Sequence, residues 1–100
     1  MRITYLGKAA KDLQWLDRYS THRFPEGRDR AWRRIQNGLR LIIANPAIGK
    51  PFGSSMRRRY VVPNTPFVIY YQFREDRLEI ARVWDTRRNL DHLSFDKTES

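Results

Sequence analysis

Cysteine is absent from this sequence, which excludes disulfide scaffolds, zinc ribbons and thiol nucleophiles together. Histidine is scarce, with only His22 and His92, too few to build a histidine-rich metal site. No metal and no other cofactor is expected. No apolar run approaches the roughly 18 residues that a membrane span requires, and the stretch Met1 to Lys8 lacks the apolar segment of about 7–15 residues that marks a signal peptide. A soluble, cytoplasmic protein without a membrane partner is the expectation. There is no phosphate-cradling glycine loop, no Ser-His-Asp set and no carboxylate pair at a recognisable spacing. Negative charge is also in short supply: 11 Asp and Glu face 20 Lys and Arg, for a formal charge of +9.

Lysine is rare even among the cations, since all but Lys8, Lys11, Lys50 and Lys97 are arginine. A guanidinium fork pairs with phosphate or carboxylate through two hydrogen bonds, where an ammonium acts as a point charge. A basic chain of this kind expects a polyanionic partner: nucleic acid, a ribosome, an acidic protein or anionic lipid. Its 100 residues amount to one domain, and a hydrophobic fraction of 40 % argues for a packed core rather than disorder.

Arg2 to Leu6 alternates polar and apolar residues and reads as a short strand closed by Gly7. From Lys8 the apolar residues Ala9, Leu13 and Leu16 follow helical spacing, with Lys11, Asp12 and Arg18 off the stripe. The segment Thr21 to Gly27 punctuates that helix. A second helix is predicted from Arg28 to Ala44, with Trp32, Ile35, Leu39, Ile42 and Ile43 as its buried stripe, stopped by Asn45-Pro46. Ala47 to Ser55 reads as loop. Three strands follow, at Arg57 to Val62, Phe67 to Phe73 and Leu78 to Trp84, the last two joined by a turn at Glu75-Asp76. The expected fold is α+β: an N-terminal strand, then an antiparallel two-helix hairpin packed on a mainly antiparallel sheet that ends in a three-strand meander. Residues 1–90 form one domain on this reading, and 91–100 form a weakly structured acidic tail. Thr86 to Leu90 is a candidate short helix.

Three arginine clusters carry the chemistry. The one around the second helix, with Arg23, Arg28, Arg30, Arg33 and Arg34, is interspersed with Glu26 and Asp29 and reads as an i,i+4-paired, solvated face. The other two, Arg57-Arg58-Arg59 and Arg82 with Arg87 and Arg88, belong to strands of one sheet and are expected to concentrate positive field there. Alternation places Arg57 and Arg59 on one face and Arg58 on the other. Arg82 falls on the same face as Leu78, Ile80 and Trp84, and an arginine on an apolar face needs an anion. Trp32 and Trp84 fit core positions. Tyr60, Tyr70 and Tyr71 are candidates for base stacking on an open sheet.

Taken in order, Tyr5, Ala9 or Ala10, Asp12-Leu13, Tyr19-Ser20, Arg23-Phe24, Ala44-Asn45-Pro46, Gly49, Arg59, Phe67 to Tyr71, Leu78 to Val83 and Asp85-Thr86-Arg87-Arg88 resemble the ParE/RelE superfamily. These are small bacterial toxins of type II toxin–antitoxin modules, also called plasmid-stabilisation proteins, and the match is nearer to ParE. The resemblance implies neutralisation by a cognate antitoxin, with operator DNA reached only through that antitoxin. It also implies one of two activities, either inhibition of DNA gyrase without catalysis or metal-independent cleavage of mRNA on the ribosome.

The ribonuclease alternative would use Arg59, Arg82, Asp85 and Arg88. Ribonuclease members carry His, Tyr or Lys near the end of the last strand, where this chain has Trp84-Asp85. Under the gyrase reading, Arg57, Arg58, Arg59, Arg82, Arg87 and Arg88 form the target-binding surface, and Leu13, Trp15, Leu16 and Trp32 meet the antitoxin.

Overall fold

A computed structural model describes residues 2–23, 26–53 and 56–96, with the side chains of 19–23 and 28 excepted. The chain runs β1 (Arg2–Tyr5), α1 (Gly7–Arg23), α2 (Arg28–Ala44), β2 (Lys50–Pro51), β3 (Arg58–Val61), β4 (Phe67–Arg74), β5 (Arg77–Asp85) and a 3-10 turn at Leu90–His92. The five strands form one sheet in the order β1-β5-β4-β3-β2. β1 lies parallel to β5, and every other pairing is antiparallel. The α+β architecture expected from the sequence is the one observed.

The strand ends before Gly7, as expected, and α1 begins at that residue. Leu6 N donates to Ile80 O and completes the strand pairing, while Ala10 N donates to Leu6 O and opens the helix. The α1 N-terminus meets a carboxylate from far along the chain, because Lys8 N donates to Asp96 Oδ2 at 3.2 Å. A negative group there offsets the unpaired N–H groups and the positive end of the helix dipole. At its other end α1 reaches Arg23, so the segment expected to begin a turn at Thr21 is still helical.

The supposed loop after α2 contains a two-residue strand, β2, paired with Arg58 and Arg59. Its cause is a tyrosine. The Tyr71 hydroxyl donates to Pro46 O at 2.8 Å and accepts from Gly49 N at 2.9 Å, pinning the chain against the sheet. Position 49 has no room for a side chain, since a Cβ there would sit 2.6 Å from the Tyr71 oxygen and 2.8 Å from Arg59 O.

The helix pair covers one face of the sheet. Ala9, Leu16, Ile35, Leu39 and Ile42 pack against Ile69, Tyr71, Leu78, Ile80 and Val83. The opposite face is covered too. Val68, Tyr70, Ala81 and Trp84 lie beneath Leu6, Phe52, Leu93 and Phe95. The described part of the expected tail, through Asp96, lies as a strap across the second face, and residues 97–100 fall outside the described residues. Phe95 meets Tyr70 edge-on at 5.5 Å, and Lys8 Nζ holds the strap through Ser94 Oγ at 2.7 Å and Phe95 O at 3.3 Å. Thr86 to Asn89 is a turn, and the short helix comes later, at Leu90–His92. Tyr70 and Tyr71 are buried and Tyr60 packs against the core, so none forms an open stacking platform.

A bulge in the β4–β5 pairing changes which residues share a face. Tyr70 is opposite Arg82, but Tyr71 is opposite Ile80, which leaves Ala81 as the extra residue. Leu78 and Ile80 thus point to the helices, while Trp84 lies on the strap side. Strict alternation had put all of them together with Arg82, and one extra residue reverses that assignment beyond position 81.

Candidate target-binding surface

Asp12 determines what the last strand can offer. β1 ends its pairing at Tyr5–Ile80, so beyond Ile80 the outer edge of β5 has no strand beside it. α1 supplies the substitute. Asp12 Oδ2 accepts from Val83 N at 3.0 Å and from Arg82 Nε at 2.8 Å, and Oδ1 accepts from Arg82 Nη2 at 2.7 Å. Arg82 Nη1 then donates to Ser94 O at 2.6 Å. Both members are buried, Asp12 4 % and Arg82 6 % exposed. The anion that Arg82 required is therefore a carboxylate of the chain itself.

Asp12 was expected off the apolar stripe of α1. It lies three residues after Ala9 and four before Leu16, both buried, so helical spacing places it on the inward face. An acid at such a position, with an arginine on an apolar strand, was the signal available for this pair.

The end of β5 is locked in a second way. Arg87 chelates Asp85: its backbone N and Nε donate to Oδ1 at 2.9 and 3.0 Å, and Nη2 donates to Oδ2 at 2.7 Å. Asp85 is buried while the Arg87 side chain remains half exposed. Arg88 lies 4.5 Å from the Trp84 ring centroid and 5.3 Å from that of Trp15, with Nη1 3.6 Å from Asp12 Oδ1. An open cleft of about 440 Å³ forms here, with Lys11, Trp15, Arg18, Arg82 and Arg88 among its lining residues.

The six arginines expected to form one surface are divided by the sheet. β4 separates β3 from β5. Arg59 and Arg82 flank Tyr70 in one register row, about 10 Å apart at two strand spacings. The Arg57 guanidinium lies 3.9 Å over the Phe95 ring on the strap side. Arg58 points the other way, donating Nη1 to Gly49 O at 2.6 Å. Burial pushes the neighbouring Tyr71 hydroxyl above its ordinary value, and the Gly49 hydrogen bond and the Arg58 charge offset this only in part.

The four residues assigned to the antitoxin also divide. Leu16 is in the core at 3 % exposure, and Leu13 packs against that core, half-buried. Trp15 is half-buried at the α1 cleft. Trp32 is not a core residue: it is half-buried on α2 and lines an open depression with Asp29, Arg33 and Gln36. Trp84 is in the core, 1 % exposed. The motif positions Tyr19, Ser20, Arg23 and Phe24 fall outside the described side chains.

The α2 arginines are less paired than their sequence suggested. Arg33 Nε donates to the backbone oxygen of Asp29 at 3.3 Å, not to its carboxylate, and Arg34 Nη1 donates to Asn64 O at 2.8 Å. No ion pair is formed by the described arginines of this helix.

A family model described as the ParE toxin of the type II toxin–antitoxin system, parDE, matches residues 3–90. No curated protein matches the chain. Among solved structures, one titled chromosomal ParDE TA system from P. aeruginosa is similar, with a TM-score of 0.67 and 24 % sequence identity. The similarity covers 83 % of this chain and 92 % of that one, and at that identity it bears on the fold alone.

Proposed function

Because this chain belongs to the ParE toxin family of type II toxin–antitoxin systems, we propose that it acts by binding and inhibiting DNA gyrase, with no catalytic step of its own. The partner common to such systems is an antitoxin. One observation carries the choice of activity. At the end of β5, where ribonuclease relatives carry an acid–base group, Asp85 is buried and accepts from the backbone N, Nε and Nη2 of Arg87. A general base needs an accessible lone pair. A buried carboxylate chelated by a guanidinium does not offer one. Arg82 is likewise committed, to Asp12.

A binding mechanism needs only a surface. Arg59, Arg87 and Arg88 are among the basic groups near the sheet that retain solvent contact, and these are the target-contact residues of the proposal. Arg57 and Arg58 contribute through their charge, while their guanidiniums position the strap and the 46–51 segment. Arg82 organises the site from within. For the antitoxin, Trp15 and Trp32 supply accessible aromatic surface, Leu13 is half-buried against the core, and Leu16 acts only through the core. An acidic partner suits this charge by steering association.

The experiment is a gyrase supercoiling assay with purified protein, run beside ribosome-dependent mRNA cleavage on the same preparation. Loss of supercoiling with mRNA intact is expected, and an Arg59→Glu/Arg88→Glu variant that folds normally should lose most of the inhibition. Cleaved mRNA with normal supercoiling would overturn the reading.

A further inference from the structure

The sheet arginines are largely consumed inside the molecule, and the arginines of α2 are not. Arg30, Arg33, Arg34 and Arg40 project from one side of the helix. At about 100° per residue they fall within roughly a third of its circumference, opposite the buried Ile35, Leu39 and Ile42. Arg30, Arg33 and Arg40 are exposed, and Gln36 and Asn37 lie among them. Together these six residues line a shallow depression of about 440 Å³. The nearest acid in the helix, Asp29, is engaged by Arg33 only through its backbone oxygen. Four like charges held on one rigid helix repel one another, and nothing in the core requires them.

We propose that this face of α2 is a binding surface for the phosphate backbone of duplex DNA, carried by Arg30, Arg33, Arg34 and Arg40. The chemistry favours a nucleic acid over an acidic protein. Protein–protein interfaces are built around a desolvated apolar or aromatic centre, and the arginine field has no buried apolar centre of its own: Leu41, 40 % exposed, lies within it, and the half-buried Trp32 borders it at Arg33 and Gln36. Protein–DNA interfaces are more polar and much more positive, and the side-chain amides of Gln36 and Asn37 suit phosphate oxygens as further donors. The lengths agree as well. From Arg30 to Arg40 the helix rises about 15 Å, and that length of duplex carries on the order of nine phosphates. Arg34, tied to Asn64 O, links the surface to the β3–β4 turn and holds one guanidinium in a defined place. Such contacts carry no base readout, so binding is independent of sequence. This surface is separate from the gyrase proposal, and its test requires neither gyrase nor antitoxin.

The test is fluorescence anisotropy of a short labelled DNA duplex of mixed sequence, titrated with the whole protein at several salt concentrations. A Kd of about 10⁻⁴–10⁻⁶ M is expected near physiological salt, with log K falling against log salt at a slope of about −3.6 for four phosphate contacts. Arg30→Ala/Arg33→Ala/Arg40→Ala should reduce the slope to about −0.9 and weaken binding at least tenfold. The control, Arg2→Ala/Lys11→Ala/Arg18→Ala, removes the same charge from exposed positions elsewhere and should keep most of the affinity. Equal losses in the two variants would mean diffuse attraction to net charge and would overturn the assignment. So would tighter binding of a polyglutamate peptide than of DNA, which would make the face a protein dock. Circular dichroism of both variants checks that the fold is intact.

Discussion

Asp12 and Arg82 are 70 residues apart in the chain and meet in a buried two-bond ion pair, at 2.8 and 2.7 Å. The carboxylate also accepts the Val83 N–H, so one side chain of α1 closes the open edge of β5 and neutralises the arginine beside it. Packing alone would bring α1 to the sheet. The pair fixes where along β5 the helix sits, because a shift by one residue would strand both charges.

Removing one member should therefore cost far more than removing both. Asp12→Ala is expected to lower the free energy of unfolding by about 3–5 kcal/mol, as for a buried charge left uncompensated. Adding Arg82→Met should restore part of that loss. Urea denaturation of the two single variants and the double variant measures the coupling, and strictly additive losses would show that the two residues do not act together.

Gly49 and Tyr71 form the second lock. Gly49→Ala must push a methyl into the Tyr71 oxygen and the Arg59 carbonyl, and it is expected to destabilise by about 1–3 kcal/mol. Tyr71→Phe relieves one of those contacts but leaves Gly49 N–H and Pro46 O without their partner, at a cost of about 1–3 kcal/mol. Combining the two should cost less than the sum. Thermal unfolding monitored in the near ultraviolet reads all three variants.

Glu79 supplies a pH dependence. It is buried between β4 and β5, accepting from Gln72 Nε2 at 2.9 Å and Arg77 Nε at 3.0 Å, with Arg74 Nε 3.3 Å away. Burial raises its pKa, but the hydrogen bonds from Gln72 and Arg77 and the charges of Arg77 and Arg74 together bring it below the ordinary 4.5. A lowered folded pKa means that the unfolded chain takes up the proton first. The stabilisation is complete above the ordinary carboxylate value and is lost as pH falls through the folded one. Glu79→Gln should thus be less stable than the parent at pH 7, and the gap should narrow below about pH 4.5. Parallel stability curves for the two proteins from neutral to acid pH would contradict this.

The strap makes a prediction of its own. Phe95 sits among Phe52, Tyr70 and the Arg57 guanidinium, at 5.9, 5.5 and 3.9 Å. Phe95→Ala should cost about 2 kcal/mol, less than a fully buried phenylalanine because the ring is only half covered. It should also bring Tyr70 into contact with solvent. Acrylamide quenching of tyrosine and tryptophan fluorescence should increase in the variant. Unchanged quenching and stability would mean that the strap does not protect this face.

The sequence by itself determined the elements that depend on neighbours in the chain. Both helices, the three long strands and the Glu75-Asp76 turn follow from spacing and local backbone preference, and α2 begins and ends at the predicted residues, Arg28 and Ala44. The ordered motifs also identified the toxin family. What only the tertiary structure decided was the fate of charges and of faces. Ala81 as a bulge reverses the side-chain alternation after it, and the register mismatch that creates it lies between two strands. Asp12 and Asp85 capture Arg82 and Arg87, whereas Arg30 and Arg40 find no acid among the described residues. From sequence all four are equally basic, because a charge is set by residue type. Its availability is set by which opposite charge the fold brings within about 3 Å.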